Sequence, residues 1–263
     1  DNILLTGATG GLGKALAAHF ASCCVKTLIV SGRDRAALQK VVDSCKVIRE
    51  EEKGDMDIYV LPCDLSDLEA VKDLGDEALR LCKGRGSGCV DVLVNNGGIS
   101  SRSNFLDTKF EVDELLMRVN FLSGSCLAKK VVPSMVQNGS GAILWVSSVQ
   151  GLVGLPGRTS YAASKFAVQG YCEALRGELA SSGVTVHVTS PGYIRTNLSR
   201  SAIQGDGSKY GKMDDTTANG ADPQDVAVQI LDFVANGKSD FLVAAGFSAK
   251  AAIWLRLMAP SLL

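Results

Sequence analysis

Short apolar runs without polar alternation recur along the chain, and nearly every one is followed by a stretch with helical spacing. Residues 3–6, 27–31, 58–62, 90–94, 142–147, 184–190 and 241–244 read as seven strands. A run that never alternates with polar residues is covered on both faces, as in a parallel sheet between two helical layers. Helical periodicity follows at 11–22, at 35–48 with Leu38, Val41 and Val42 on one face, and from Asp67 with Leu68, Val71 and Leu74 inward. It returns at 111–136, 160–181 and 225–236. The pattern predicts an α/β fold, a doubly wound seven-stranded parallel sheet with helices on both faces, and one domain over residues 1–263. Residues 197–222 break the rhythm: they are rich in Gly, Ser, Thr, Asp and Lys, and read as a flexible substrate-side segment or lid.

The first strand runs into Thr6-Gly7-Ala8-Thr9-Gly10-Gly11-Leu12-Gly13 and then a helix. Glycines at 7, 11 and 13 allow a tight turn and close approach to a pyrophosphate, while the helix N-terminus offers free N–H groups to that anion. The second strand ends in Ser31-Gly32-Arg33-Asp34, without a carboxylate at the strand end, and Arg33 can pair with a 2′-phosphate. NADP(H) rather than NAD(H) is the expected cofactor.

Tyr161 and Lys165 are four residues apart, hence on one face of a helix, where an ammonium is expected to lower the phenol's pKa. Ser148 lies thirteen residues before Tyr161, just past the fifth strand, in position to hydrogen-bond a reacting oxygen. Asn95-Asn96-Gly97-Gly98 follows the fourth strand.

These segments, with Asn120 in the long helix and Pro191-Gly192, resemble the classical short-chain dehydrogenases/reductases over nearly the whole length. Gly97-Gly98 departs slightly, because that family usually has Ala at one of the two. The run from Ser190 to Gly220 and the closing WLRLMAPSLL further resemble one subgroup of it. The resemblance implies a Rossmann domain and a catalytic set of Asn120, Ser148, Tyr161 and Lys165. Tyr161 would give a proton to a carbonyl oxygen, with Ser148 holding the substrate and Asn120 supporting a water that links Lys165 to solvent. The cofactor would lie against Thr6, Gly7, Thr9, Gly10, Gly11, Leu12 and Gly13, with Arg33 beside the adenosine end. Asp64 would meet adenine, Asn95 would pack near the adenosine ribose and Lys165 would bind the nicotinamide ribose, with Leu65 and Gly97 also among the cofactor-binding residues. Pro191, Gly192, Ile194 and Thr196 would line the nicotinamide.

The resemblance also implies a small-molecule carbonyl or alcohol substrate, a lipid ketone such as acyl- or alkyl-dihydroxyacetone phosphate, whose phosphate Lys209 or Lys212 would meet. A steroid or retinoid is the alternative, and an NADP(H)-binding regulator with little catalysis is the alternative of another class. A homodimer or homotetramer is implied, and so is an intracellular site at the endoplasmic reticulum or peroxisomal membrane. Membrane attachment would come from a segment before Asp1 or from the apolar stretch 246–263.

Composition narrows the rest. With 27 Lys and Arg against 28 Asp and Glu, net charge −1 gives no electrostatic pull on nucleic acid. The eight cysteines include no CxxC spacing and read as reduced, mostly buried thiols rather than a disulfide frame or metal site. His19 and His187 lie away from the YxxxK segment and read as structural. The apolar tail is broken by Lys250 and Arg256 and is not a membrane span.

Overall fold

The computed structural model describes residues 1–23, 25–52 and 55–262. Seven strands, β1 (Asn2–Leu5), β2 (Thr27–Gly32), β3 (Asp57–Pro62), β4 (Val92–Asn95), β5 (Gly141–Val146), β6 (Val184–Pro191) and β7 (Asp240–Val243), make one sheet. Their order is β3-β2-β1-β4-β5-β6-β7, and every pairing is parallel. The helices are α1 (Gly11–Ser22), α2 (Arg35–Glu51), α3 (Leu68–Cys82), α4 (Phe110–Met117), α5 (Ser123–Asn138), α6 (Thr159–Glu178), α7 (Asp215–Ala218), α8 (Pro223–Ala235) and α9 (Phe247–Met258). The expected doubly wound Rossmann architecture is therefore present.

Strand pleating divides the core. Ile3, Leu5, Leu28 and Val30 face a layer made of α1, α2 and α8, while Leu4 and Ile29 between them face α3, α5 and α6. The edge strand β3 is only half-buried, and Asp57 and Pro62 at its ends are exposed. Three helices start on an aspartate that accepts backbone N–H bonds: Asp34 for α2, Asp67 for α3 and Asp222 for α8. The order reverses between β1 and β4, which opens a crevice at the carboxyl ends of the strands.

Three regions differ from the sequence pattern. The single helix expected over 111–136 is interrupted by a π-helical turn, Arg118–Leu122, between α4 and α5. Periodicity cannot reveal one inserted residue, and such turns are common at functional sites. Residues 197–222 fold back over 100–109, with Ile203 N–H donating to the Ser100 carbonyl at 2.9 Å and Arg102 N–H to that of Ile203 at 2.8 Å. Lys109 N–H likewise donates to the Gly205 carbonyl at 2.8 Å. The tail forms α9, whose Phe247, Trp254, Leu257 and Met258 are all more than half exposed. Apolar residues occur all round this helix, so no single stripe announced it. Among the described residues no helix is long and apolar enough to cross a membrane.

Cys23, Cys45, Cys63, Cys82, Cys89, Cys126 and Cys172 carry free thiols, while Cys24 lies outside the described residues. Burial pushes Cys45 and Cys63 up to about 11 and Cys82 up to about 12, so all three stay protonated and inert at neutral pH.

Candidate active site

The crevice is walled on one side by backbone. Gly7 has φ +63°, and a Cβ there would lie 2.6 Å from the Gly97 Cα. A Cβ on Gly13 would run into the Gly7 carbonyl, and one on Gly11 would meet Thr196 Cγ2 at 2.6 Å. Only hydrogen fits at these places. The N-cap of α1 is Gly10, which provides no side-chain cap, and the first turn holds no acidic residue. The N–H groups of Gly11, Leu12 and Gly13 have no backbone acceptor among the described residues, as the start of a helix leaves them. Unlike α2, α3 and α8, this helix end presents uncompensated positive charge to the crevice. A dinucleotide pyrophosphate fits this cradle, with Thr9, Gly10, Gly11, Leu12 and Gly13 as its surround.

Thr6 ties the glycine turn to the end of β4. Its hydroxyl donates to the Val94 carbonyl at 3.2 Å and accepts from Asn96 N–H and Gly97 N–H at 3.2 and 3.1 Å. Asn96 Nδ2 donates to the carbonyls of Thr6 and Gly7 at 3.0 and 3.1 Å, stapling the glycine turn to the end of β4. Asn95 is buried, with Nδ2 within 3.5 Å of the Gly124 carbonyl and Oδ1 unpartnered. The pair reads alike in sequence; pleating sends one side chain to the helix and its neighbour to the turn. A Cβ on Gly97 would strike Leu65 Cδ1, so the small departure to Gly here makes room for that leucine.

At the end of β2, Asp34 accepts from Ala37 N–H at 3.0 Å and is committed to capping α2. Arg33 is exposed, with no ion pair among the described residues. Thr9 Oγ1 stands beside Gly32. After β3, Asp64 accepts from Ser66 N–H and the Ser66 hydroxyl, both at 2.9 Å, closing the turn into α3. Beyond β6 and Pro191, Gly192 N–H donates to the Val243 carbonyl at 2.9 Å, where a Cβ would collide with the Ala244 carbonyl. Ile194 pairs with Ala221 and packs on the core, which leaves Thr196 against Gly11 across the crevice.

The opposite wall is made of side chains. Tyr161 and Lys165 are buried on α6, and Ser148 is buried at the turn after β5. Burial raises the Tyr161 pKa, opposed by a hydrogen bond with the Ser148 hydroxyl and then by the charges of Arg158 and Arg102. This corrects the expectation that Lys165 depresses the phenol. Lys165 Nζ donates to the Val146 carbonyl at 2.8 Å and lies 5.8 Å from the Tyr161 ring centroid, and its own pKa falls to about 8 through burial. Asn120 sits in the π-helical turn, where Oδ1 accepts from Ile99 N–H at 2.8 Å. Its Nδ2 donates to the Ile99 carbonyl and to the Ser164 hydroxyl, both at 2.9 Å. Ser164 in turn donates to the Tyr161 carbonyl at 2.7 Å, so Asn120 ties the β4 loop to the helix of Tyr161. Ile203, from the folded 197–222 segment, belongs to one buried cluster with Tyr161, Val112 and Leu116.

Three residues here carried no expectation. Arg102 Nε and Nη2 donate to Asp214 Oδ2 at 2.8 and 2.5 Å, and Arg158 Nη2 reaches the same oxygen at 3.4 Å. These partners are 112 and 56 residues apart in the chain, so no local pattern joins them. His187, by contrast, is a buried structural residue, with Nδ1 and Nε2 engaged by the Lys238 carbonyl and Thr185 Oγ1.

A family model described as short chain dehydrogenase matches residues 1–207. Dehydrogenase/reductase SDR family member 7B of Danio rerio is 44% identical over 264 residues, covering 99% of this chain and 82% of the relative. A short-chain dehydrogenase/reductase from Burkholderia phymatum, solved in complex with NAD, superposes with a TM-score of 0.83 at 22% identity. It spans 100% of this chain and 94% of that one. A short-chain dehydrogenase from Sphingobium yanoikuyae, in complex with NADPH, gives 0.77 at 25% identity over 98% and 94%.

Proposed function

The chain belongs to the short-chain dehydrogenase/reductase family of oxidoreductases, and on that premise we propose that it is an NADP(H)-dependent carbonyl reductase acting on a lipid ketone. Acyl- or alkyl-dihydroxyacetone phosphate is the named candidate. The observation that carries the reading is that Ser148, Tyr161 and Lys165 are all buried and lie together, Ser148 hydrogen-bonded to Tyr161 and Lys165 Nζ 5.8 Å from its ring, in a fold whose α1 begins uncapped.

When bound, the nicotinamide supplies the hydride, or takes it in the reverse direction. The residues of the chain do the rest. Tyr161 keeps its proton at neutral pH because burial raises its pKa, and it gives that proton to the oxygen that becomes the alcohol. Ser148 donates a hydrogen bond to the same oxygen, and the phenolate left behind is stabilised by Ser148 and the nearby Arg158 and Arg102 charges. Lys165, with a pKa near 8, is poised to return the proton. Asn120 holds the β4 loop and Ser164 in register behind it. Support for NADP(H) over NAD(H) comes from Asp34 being turned into the α2 cap, which leaves the exposed Arg33 for a 2′-phosphate. Association with an intracellular membrane would fall to α9, whose apolar side chains stand exposed beside Lys250 and Arg256. A dimer or tetramer would form through α5 and α6.

The test is NADPH oxidation with acyl-dihydroxyacetone phosphate, a steroid ketone and retinal. Turnover of the first, cut about 1,000-fold in Tyr161→Phe with NADPH affinity within about twofold, is the expected result. Turnover surviving in that variant removes the proton-donor role. Tight NADPH binding with no ketone reduced favours the regulator.

A further inference from the structure

A cationic cluster lies against the reacting wall and has more positive than negative charge. Arg102 and Arg158 share one carboxylate, Asp214, and all three side chains are less than one-fifth exposed. Arg102 is fully engaged: besides Asp214 it donates through Nη1 to Ser100 Oγ and the Ser101 carbonyl, both at 2.7 Å. Arg158 is not. Its contact with Asp214 is long, at 3.4 Å, and Nε and Nη1 have no hydrogen bond among the described residues. The nearby Asp113 is occupied by the Ser160 hydroxyl. Arg158 is half-buried, so its free N–H donors reach the solvent side of the site, where an anion can make a charge-assisted, two-pronged contact with them.

Its position gives these free donors a use. Arg158 is the N-cap of α6 and lies three residues, less than one helical turn of about 5.4 Å, before Tyr161. Asp214 comes from the 197–222 segment, whose Ile203 shares a buried cluster with Tyr161, so the placement of that segment seats the carboxylate between the two arginines. We propose that Arg158, set in place by Asp214 and Arg102, receives an anionic group of the substrate, a phosphate monoester or a carboxylate a few bonds from the reacting carbonyl. Lys209 and Lys212, the expected phosphate partners, are both exposed. The inference rests on the reductase reading and names the chemistry that the site selects.

The experiment uses three probes: 1-palmitoyl-dihydroxyacetone 3-phosphate, its dephosphorylated ketone, and 3-oxopalmitic acid. Each is measured for turnover with NADPH and for binding to the NADP+-saturated protein by calorimetry. The wild type is expected to favour at least one anionic ketone over the neutral one. Arg158→Gln should lose about 30-fold in kcat/KM on that anionic ketone, mostly in KM, and a similar factor in binding. On the neutral ketone the loss should fall on kcat alone, through the phenolate that Arg158 helps to stabilise, with KM and binding changed by less than about threefold, and Lys209→Ala with Lys212→Ala should leave the preference intact. Arg158→Lys keeps the charge without the fork, should retain most of the preference, and stands in if the glutamine variant does not fold. Equal losses on all three ketones, or no anionic preference in the wild type, overturn the proposal. Arg158-dependent binding of the anionic probe without any turnover would uphold the anion site and sink the reductase reading instead.

Discussion

At the α1 end of the crevice the working groups are backbone: three unpaired N–H groups, a left-handed Gly7, and glycines pressed against Gly97, Thr196 and the Gly7 carbonyl. At the α6 end they are side chains, a buried phenol, ammonium and hydroxyl with two half-buried guanidiniums around one carboxylate. The first arrangement tolerates little change in shape but holds no buried charge. The second is built from ionisable groups whose burial opposes their charged forms, as the raised Tyr161 and lowered Lys165 pKa values record. One end is fixed by sterics, and the other is poised by electrostatics.

The largest effect should come from breaking the steric end. In Gly13→Ala the added methyl must displace the Gly7 carbonyl, and NADPH affinity should fall more than about 100-fold, the cost of a strained backbone of several kcal/mol. A fluorescence titration of NADPH that finds less than a threefold change would show that the turn has room to yield.

Next is the electrostatic end. Lys165 titrates near 8 in the folded chain against 10.5 in the unfolded one, so below pH 8 the buried cation opposes folding. That penalty is relieved as pH rises from 8 to 10.5, because the unfolded chain then holds the extra proton. Lys165→Met should therefore raise the stability of the cofactor-free protein at pH 7 by up to about 3 kcal/mol while abolishing turnover. Its advantage over the wild type should shrink between pH 8 and 10.5. Urea denaturation at pH 7 and pH 10 reads this, and a gain that does not depend on pH would place its origin elsewhere.

The smallest effect tests the one side chain that the backbone end is proposed to use. Arg33→Ala should weaken NADPH binding about 10- to 100-fold and leave NADH binding within about twofold. Equal losses for both cofactors would remove the 2′-phosphate assignment.

How much was legible follows the same division. The glycine turn, Ser148 and the Tyr161–Lys165 spacing are local patterns, and the sheet was readable because each strand's own burial is written in its own residues. The distinction between Asn95 and Asn96 was not, since it depends on which face of β4 meets Gly124 and which meets the glycine turn. Nor was the direction of the Tyr161 shift. The i, i+4 spacing places an ammonium near the phenol, but only the packing of Ile203, Val112 and Leu116 shows how dry the site is.

By itself, the sequence determined the alternation of strands and helices, the anion-binding turn, and the identity and spacing of the reacting side chains, because each depends on neighbours within one or two turns of chain. Tertiary structure alone decided the rest. It brought Arg102, Arg158 and Asp214 together and folded 197–222 back over 100–109, with Ile203 in the same buried cluster as Tyr161. Charges buried far apart in the chain act through the low dielectric they share only once the fold has excluded water between them.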